Sequence, residues 1–266
     1  CGYTQEDTLA GKTMGEVIVS VNKWEQNLNE VPNKIVKINK ADILRNNPQT
    51  TADLLGQTGA VFIQKSQLGG GSPMIRGFAT NRVLMVVDGV RMNNAIYRSG
   101  NIQNAISIDA LSLETAEVVF GPGSLIYGSD AIGGVMDFHT LNPQLATNNK
   151  EVVKGSLVGR YSSANKEKTI HADINVGFNK WSFLTSFSYS DFDDLKMGKN
   201  GGQSGYLRPE YVERQNNADV IVQNSDPRIQ RFSGYNQTNF LQKIRFKPGK
   251  NWDFQYSFTY AGTGYA

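Results

Sequence analysis

With 266 residues, 39% of them hydrophobic and 19% charged, the chain can build one large domain or two modest ones and carries too little charge to stay disordered. Its formal net charge of +3 comes from basic residues scattered along the sequence, not clustered among stacking aromatics, which speaks against nucleic-acid binding. Cys1 is the single cysteine, which excludes a disulfide framework and a thiol-rich metal site; the absence of any apolar run of about 18 residues excludes a helical membrane span but not a transmembrane barrel.

The chain opens on Cys1 and Gly2 without a signal-peptide pattern. A removed leader, a trimmed N-terminus or a lipid-modified Cys1 fits this start, and a cysteine left by trimming is the simpler reading. Residues 1–15 are polar and unpatterned, a mobile segment. Glu16, Val17, Ile18, Val19, Ser20 and Val21 form a short β-prone run. Such a run donates a strand to a partner's sheet edge, or serves as the ordinary first strand of the next domain. Residues 35–38 predict a strand and 40–46 a short helix; Pro48 breaks the pattern, and Thr50 or Thr51 caps a second helix through Leu55. Residues 61–65, 74–78 and 82–87 read as strands, and Asp88-Gly89 makes a tight turn into 90–93. Residues 111–115 predict a helix, 117–120 an extended segment, 124–127 a helical turn and 132–138 a closing strand. Together these describe a small mixed α+β domain jointed by glycines.

No catalytic constellation accompanies these elements. Gly123 to Gly128 has the spacing of a phosphate loop, but Ser129 stands where lysine is required, and Gly69-Gly70-Gly71 does not lead from a strand into a clear helix. There is no Gly-x-Ser-x-Gly elbow, and His139 and His171 both fall on predicted strands, where a lone histidine is structural. Asp191, Asp193 and Asp194 lack the glycine and terminal glutamate of a calcium loop and read as solvated loop charge. The chain therefore reads as neither an enzyme nor a resident-cofactor protein.

Near residues 142–150 the composition changes to segments of alternating polarity. Ile170, Ala172, Ile174, Val176 and Phe178 share one face, with His171, Asp173, Asn175 and Gly177 opposite; Trp181, Phe183, Thr185, Phe187 and Tyr189 repeat the pattern after a tight turn at Asn179-Lys180. Further strands are predicted at 153–161, 235–246 and 252–260, with a long polar connection over 190–234. Short turns alternating with a long loop, and aromatics near strand ends, suit a transmembrane β-barrel. Alternation alone leaves a soluble antiparallel sheet open. About five strands fit here, fewer than the eight of the smallest usual barrel, so the remaining wall is expected beyond Ala266. The fold class is an α+β domain followed by the N-terminal antiparallel strands of a transmembrane β-barrel that is incomplete in this chain.

Three blocks carry a resemblance: Ser72-Pro73-Met74-Ile75-Arg76-Gly77-Phe78, the run Arg82 to Arg91 through Val86-Val87-Asp88-Gly89, and Glu117 to Val135 through Phe120-Gly121-Pro122-Gly123 and Gly128-Ser129-Asp130-Ala131-Ile132-Gly133-Gly134. In this order and spacing they closely resemble the plug domain of TonB-dependent receptors. The resemblance implies a plug over 22–143, barrel strands over 150–266, and a TonB box at Glu16, Val17, Ile18, Val19, Ser20 and Val21. It also implies an outer-membrane location in a Gram-negative bacterium and TonB-driven import of a scarce large ligand. Arg76, Arg82 and Arg91 are implied as plug–barrel or plug-internal contacts, and Gly77, Gly89, Gly121, Gly123, Gly128, Gly133 and Gly134 as turn residues. Where the family often has Arg or Lys before Gly-Pro-Gly, this chain has Phe120. The run Asn93 to Asn101 is most similar to haem and haemoprotein receptors, with Asn94, Tyr97, Arg98 and Asn101 facing ligand; Asn101 stands where a haem-binding histidine is expected. Haem is then cargo, not a cofactor, and siderophore or cobalamin import is the neighbouring reading. A receptor-like scaffold subunit that has lost transport is a further one. The implied partners are a TonB-like periplasmic energy coupler, outer-membrane lipid, the haem, siderophore or other iron-related ligand, and a surface lipoprotein.

Overall fold

The computed structural model describes residues 17–18, 26–27, 33–65, 70–79, 82–92, 105–128, 130–147, 150–200 and 204–265. Val17–Ile18 (β1) pairs antiparallel with Gln26–Asn27 (β2). Ile35–Asn39 (β3) runs directly into the helix Lys40–Asn46 (α1), where Asn39 and Asp42 form a capping box and Asn47 leaves in the left-handed conformation. The Thr50 hydroxyl accepts the Asp53 N–H at 3.1 Å and starts Thr51–Gln57 (α2), which buries Ala52, Leu54 and Leu55.

Phe62–Gln64 (β4), Ser72–Ile75 (β5) and Phe78–Ala79 (β6) form a three-stranded antiparallel sheet. The expected single strand over 74–78 is thus two strands, split by a hairpin turn in which Arg76 and Gly77 both have positive φ, 48° and 82°. Val83–Val87 (β7) turns at Asp88-Gly89 into Val90–Arg91 (β8). Short 3-10 turns at Ala105–Ser107 and Ala110–Ser112 precede Leu113–Phe120 (β9), Ser124–Tyr127 (α3) and Gly134–Thr140 (β10). The helix expected over 111–115 is corrected accordingly: Leu111 and Ser112 belong to a turn and the other three enter β9, because β9 finds partners on both sides in the sheet β3-β9-β10-β7-β8. Within that sheet only β10 and β7 run parallel.

This N-terminal unit has a core of its own. Ile43, Leu54, Leu55, Ile75, Ile106, Leu113, Met136 and Phe138 are all essentially buried on one side of the sheet, and Leu84, Val119, Val135 and Tyr127 on the other. Each such side chain contributes about 1.5–3 kcal/mol relative to exposure.

The second half is built on one five-stranded antiparallel sheet. Its strands are Val152–Ser162 (β11), Glu167–Gly177 (β12) and Trp181–Phe192 (β13). The long connection that follows is folded: Leu195–Lys196 (β14) pairs with Ile229–Gln230 (β17) around a hairpin of Glu210–Gln215 (β15) and Ala218–Gln223 (β16). Tyr235–Phe246 (β18) and Phe254–Tyr265 (β19) complete the order β11-β12-β13-β18-β19, which does not close. Each wall strand is 11 or 12 residues long, enough for a tilted crossing of a bilayer.

Exposure decides between a soluble sheet and a membrane wall. Ile170, Ile174, Phe187 and Phe258 are 52%, 48%, 43% and 47% exposed, whereas Glu167, His171, Ser182 and Lys243 on the opposite face are at most 1% exposed. Apolar out and polar in is the reverse of a water-soluble sheet and the pattern of a barrel wall in lipid. Trp181 stacks on Phe246 at 4.1 Å and Trp252 on Phe254 at 5.7 Å, an aromatic band at the short-turn end.

Candidate functional site

The inner face of the wall packs against the N-terminal unit, and that seam concentrates the buried polar chemistry of the molecule. Alternation along β12, β13 and β18 puts every second side chain on it. At the loop end, Arg160 of β11 is held by Glu167 at 2.6 Å and donates to the carbonyls of Pro48 (2.6 Å) and Gln49 (3.2 Å). The Gln49 amide donates to the second Glu167 oxygen at 2.5 Å. Helix α2 therefore begins directly beneath a wall-borne ion pair.

Midway along, Asp109 meets the wall. Its Oδ2 accepts the hydroxyls of Ser188 and Ser112, each at 2.5 Å, and lies 3.5 Å from His171 Nδ1. His171 also contacts Ser188 (2.6 Å) and Asp173 (3.3 Å), and Ser112 meets Ser186 at 3.0 Å. Burial opposes ionisation of Asp109, but hydrogen bonds with His171, Ser112 and Ser188 outweigh it and hold the carboxyl below its ordinary range. From β18, Gln237 and Asn239 donate to the carbonyls of Ile106 (2.5 Å) and Ser107 (2.9 Å).

Nearer the short turns, the fully buried Lys243 lies 3.0 Å from Asp88 and 3.3 Å from the Thr140 carbonyl. Asp88 in turn accepts the Thr140 N–H and hydroxyl, at 2.9 and 2.6 Å. Asn175 and Ser182 clasp the Gln144 carbonyl where the chain crosses to the wall. Among the described residues, the buried apolar clusters that cross the seam do so through Phe192 and Tyr235, which stack on each other at 4.4 Å and join the plug core, and through Leu141 with Leu184 and Leu241.

The residues singled out from sequence fall in several places. Arg91 pairs with Asp130 at 2.8 Å within the N-terminal unit, and Arg76 lies 5.4 Å from the Phe120 ring, so both make internal contacts. The Arg82 carbonyl accepts the Gly133 N–H at 2.7 Å. Polar contacts to the wall are made instead by residues such as Arg160, His171, Ser188, Gln237, Asn239 and Lys243, whose only sequence signal is a polar side chain on the inner register of a strand. Phe120 fills the core at 6% exposure. Gly77, Gly89, Gly121 and Gly128 have φ of 82°, 81°, 95° and 95°. Gly123, Gly133 and Gly134 are close approaches: a Cβ on Gly133 would sit 2.4 Å from Phe78 Cβ, and those on Gly123 and Gly134 would meet Val135 and the Val119 carbonyl. Of the β-prone run, Val17 and Ile18 form β1, while Glu16, Val19, Ser20 and Val21 lie outside the described residues, as do Asn94, Tyr97, Arg98 and Asn101.

His139 lies on β10 beside Asp137, 3.7 Å away, and Tyr127 donates to Asp137 at 3.0 Å. Burial pushes the Asp137 carboxyl up to about 6, against the lowering effects of His139 and Tyr127, with Glu117 and Asp88 raising it further. The native state thus binds this proton more tightly than the unfolded chain. Its stabilising contribution is complete below 3.8 and is lost as pH rises through about 6. Calorimetry of the full-length receptor across this window is expected to show a loss of about 2–3 kcal/mol from this group, and Asp137→Asn is expected to flatten the profile. An unchanged profile in that variant would assign the slope to other groups.

A mixed α/β unit seated by polar contacts against a lipid-facing strand wall defines an outer-membrane barrel protein with an internal plug. The TonB-dependent Receptor Plug Domain family model matches residues 27–135. Vitamin B12 transporter BtuB of Vibrio vulnificus strain CMCP6 is 36% identical over 205 residues, 73% of this chain and 31% of that protein. Among solved structures, the pyoverdine outer membrane receptor FpvA from Pseudomonas aeruginosa PAO1 superimposes with a TM-score of 0.62 at 13% identity, over 94% of this chain and 31% of that one. Copper transporter OprC gives 0.62 at 15% identity, over 87% and 32%. At those identities the structural likeness speaks for the fold. The chain belongs to the TonB-dependent receptors of the Gram-negative outer membrane, carrying their plug and first barrel strands, and spans 31% of the length of the BtuB relative.

Proposed function

We propose that the receptor to which this chain belongs imports a large, scarce iron complex, haem first among the candidates, and that TonB-type coupling displaces the plug to let it through. The polar character of the seam carries this reading. The plug keeps its own apolar core, and most of its attachment to the wall consists of hydrogen bonds and ion pairs. A hydrogen bond exchanged for water changes stability by only about 0.5–1.5 kcal/mol net, so such a seam re-forms after opening, whereas a dry interface of equal area would not release. The coupler enters by strand addition to residues 16–21. The residues assigned to ligand contact in this reading are Asn94, Tyr97, Arg98 and Asn101 of the run 93–101.

A second reading, cobalamin as cargo, is favoured by the relative named a vitamin B12 transporter. Cells expressing the full-length receptor and given radiolabelled haem or cyanocobalamin distinguish the two. Haem accumulation that a proton uncoupler abolishes is the expected result. Accumulation of cobalamin alone overturns the haem assignment, and accumulation of neither overturns both cargo assignments.

A further inference from the structure

The two ends of the wall differ in charge. At the loop end, Lys168 stands opposite Asp191 across β12 and β13, and Lys166 pairs with Asp193 at 2.8 Å, so the cations there are offset. At the short-turn end, Lys180 and Lys250 are exposed, and among the described residues neither makes an ion pair. Asp253 is taken by Arg245 through two bonds, at 2.9 and 2.6 Å, and Lys247 comes no nearer to it than 3.7 Å. Lys150 and Glu151, adjacent ahead of β11, offset each other. The short turns are left with a surplus of positive charge.

That surplus sits directly above an aromatic step. The Lys247 N–H donates to the Lys180 carbonyl at 2.8 Å, which ties the two turns together side by side. One residue further along each strand, the cross-strand pair Trp181 and Phe246 stacks at 4.1 Å, and Trp252 stacks on Phe254 at 5.7 Å. Aromatic rings at a wall's end lie at the level of the lipid headgroups. Ammonium groups just beyond them are within reach of a headgroup phosphate, and three N–H donors on a flexible stem suit an anion that is not held in one orientation.

We propose that the short-turn rim is a binding site for an anionic phospholipid, its phosphate among Lys180, Lys247 and Lys250 and its glycerol and upper acyl carbons against Trp181, Phe246 and Trp252. Short turns mark the periplasmic end of such a wall, so the lipid met there belongs to the inner leaflet. The site depends on the wall's place in the membrane and on no choice of cargo.

The purified full-length receptor in detergent is titrated with phosphatidylglycerol and with phosphatidylcholine of the same acyl chains, and bound lipid is counted by native mass spectrometry. The wild type is compared with Lys180→Glu/Lys250→Glu, with Lys180→Arg/Lys250→Arg and, at the loop end, with Lys166→Glu/Lys168→Glu. Each lysine near an anionic headgroup is worth about fivefold in affinity, so the wild type is expected to bind phosphatidylglycerol about tenfold or more tightly than phosphatidylcholine. The short-turn glutamate variant is expected to lose that preference, and the arginine and loop-end variants to keep it within about twofold. Equal affinity of the wild type for the two lipids overturns the site, and that comparison needs no variant to fold. An undiminished preference in the short-turn glutamate variant, or an equal loss in the loop-end variant, overturns it as well. Lipopolysaccharide and inorganic phosphate are added in competition. Displacement of phosphatidylglycerol by an equal concentration of lipopolysaccharide gives the rim to the other leaflet's lipid, and displacement by inorganic phosphate reduces it to a bare anion patch; either result overturns the proposal.

Discussion

If the proposed coupling by strand addition holds, deleting residues 16–21 from the full-length receptor is expected to cut energised uptake by about a hundredfold or more while leaving ligand affinity within about twofold, because such a segment takes no part in capture. Val17 and Ile18 are already extended and paired with Asn27 and Gln26. Two residue pairs are a small hold: at about 0.5–1.5 kcal/mol net per hydrogen bond, a partner strand of full length outcompetes them. Ile18→Pro makes the sharper version of the test, since it removes one backbone donor and disturbs pairing on either side. Uptake assays with and without an uncoupler, alongside equilibrium binding, read the two effects separately. Full uptake in the deletion strain would mean that this segment is an ordinary first strand and that coupling lies elsewhere.

The second large effect concerns Lys243 and Asp88. Lys243 is 0% exposed and has Asp88, the Thr140 carbonyl and the Asn142 side chain as its partners. Asp88→Asn leaves that cation buried without a counter-charge, and breaking one side of a buried pair costs about 3–5 kcal/mol. Lys243→Met is expected to cost less, because Asp88 is partly exposed and keeps both bonds from Thr140. Combining the two substitutions is expected to recover most of the loss, since no buried cation is then left without a counter-charge. Urea titration of the full-length receptor, followed by protease access to the plug, gives the order of the three proteins. Additive losses in the double variant would show that the pair does not act as a unit.

The wall was legible in the sequence because one physical constraint governs it. A strand crossing lipid alternates, and Thr169 to Tyr189 does so on either side of the Asn179-Lys180 turn, with inward Leu184 and outward Thr185 as the exceptions. The plug was legible in outline and blurred in detail. Arg76 in a left-handed turn is signalled only by the Gly77 that follows it, and the flanking Ile75 and Phe78 are strand formers that mask the break. Leu111 to Thr115 contains good helix formers, yet pairing with β3 and β10 overrides propensity. The seam was the least legible part. That His171, Lys243 and Arg160 face inward follows from register; what each one meets is set by how two separately folded layers dock, which spacing along one chain does not encode. The arginines that stand out in the plug motifs are instead spent on contacts within it, Arg91 on Asp130 and Arg76 over Phe120.

Most of the wall's donors reach main-chain oxygens, not side chains. Arg160 takes those of Pro48 and Gln49, Gln237 that of Ile106, Asn239 that of Ser107, Lys243 that of Thr140, and Ser182 that of Gln144. Every residue type offers the same carbonyl, so mutation at these plug positions leaves the grip intact provided the backbone path is kept. The lineage is therefore free to rewrite the cork's surface for new cargo without redesigning the bottle.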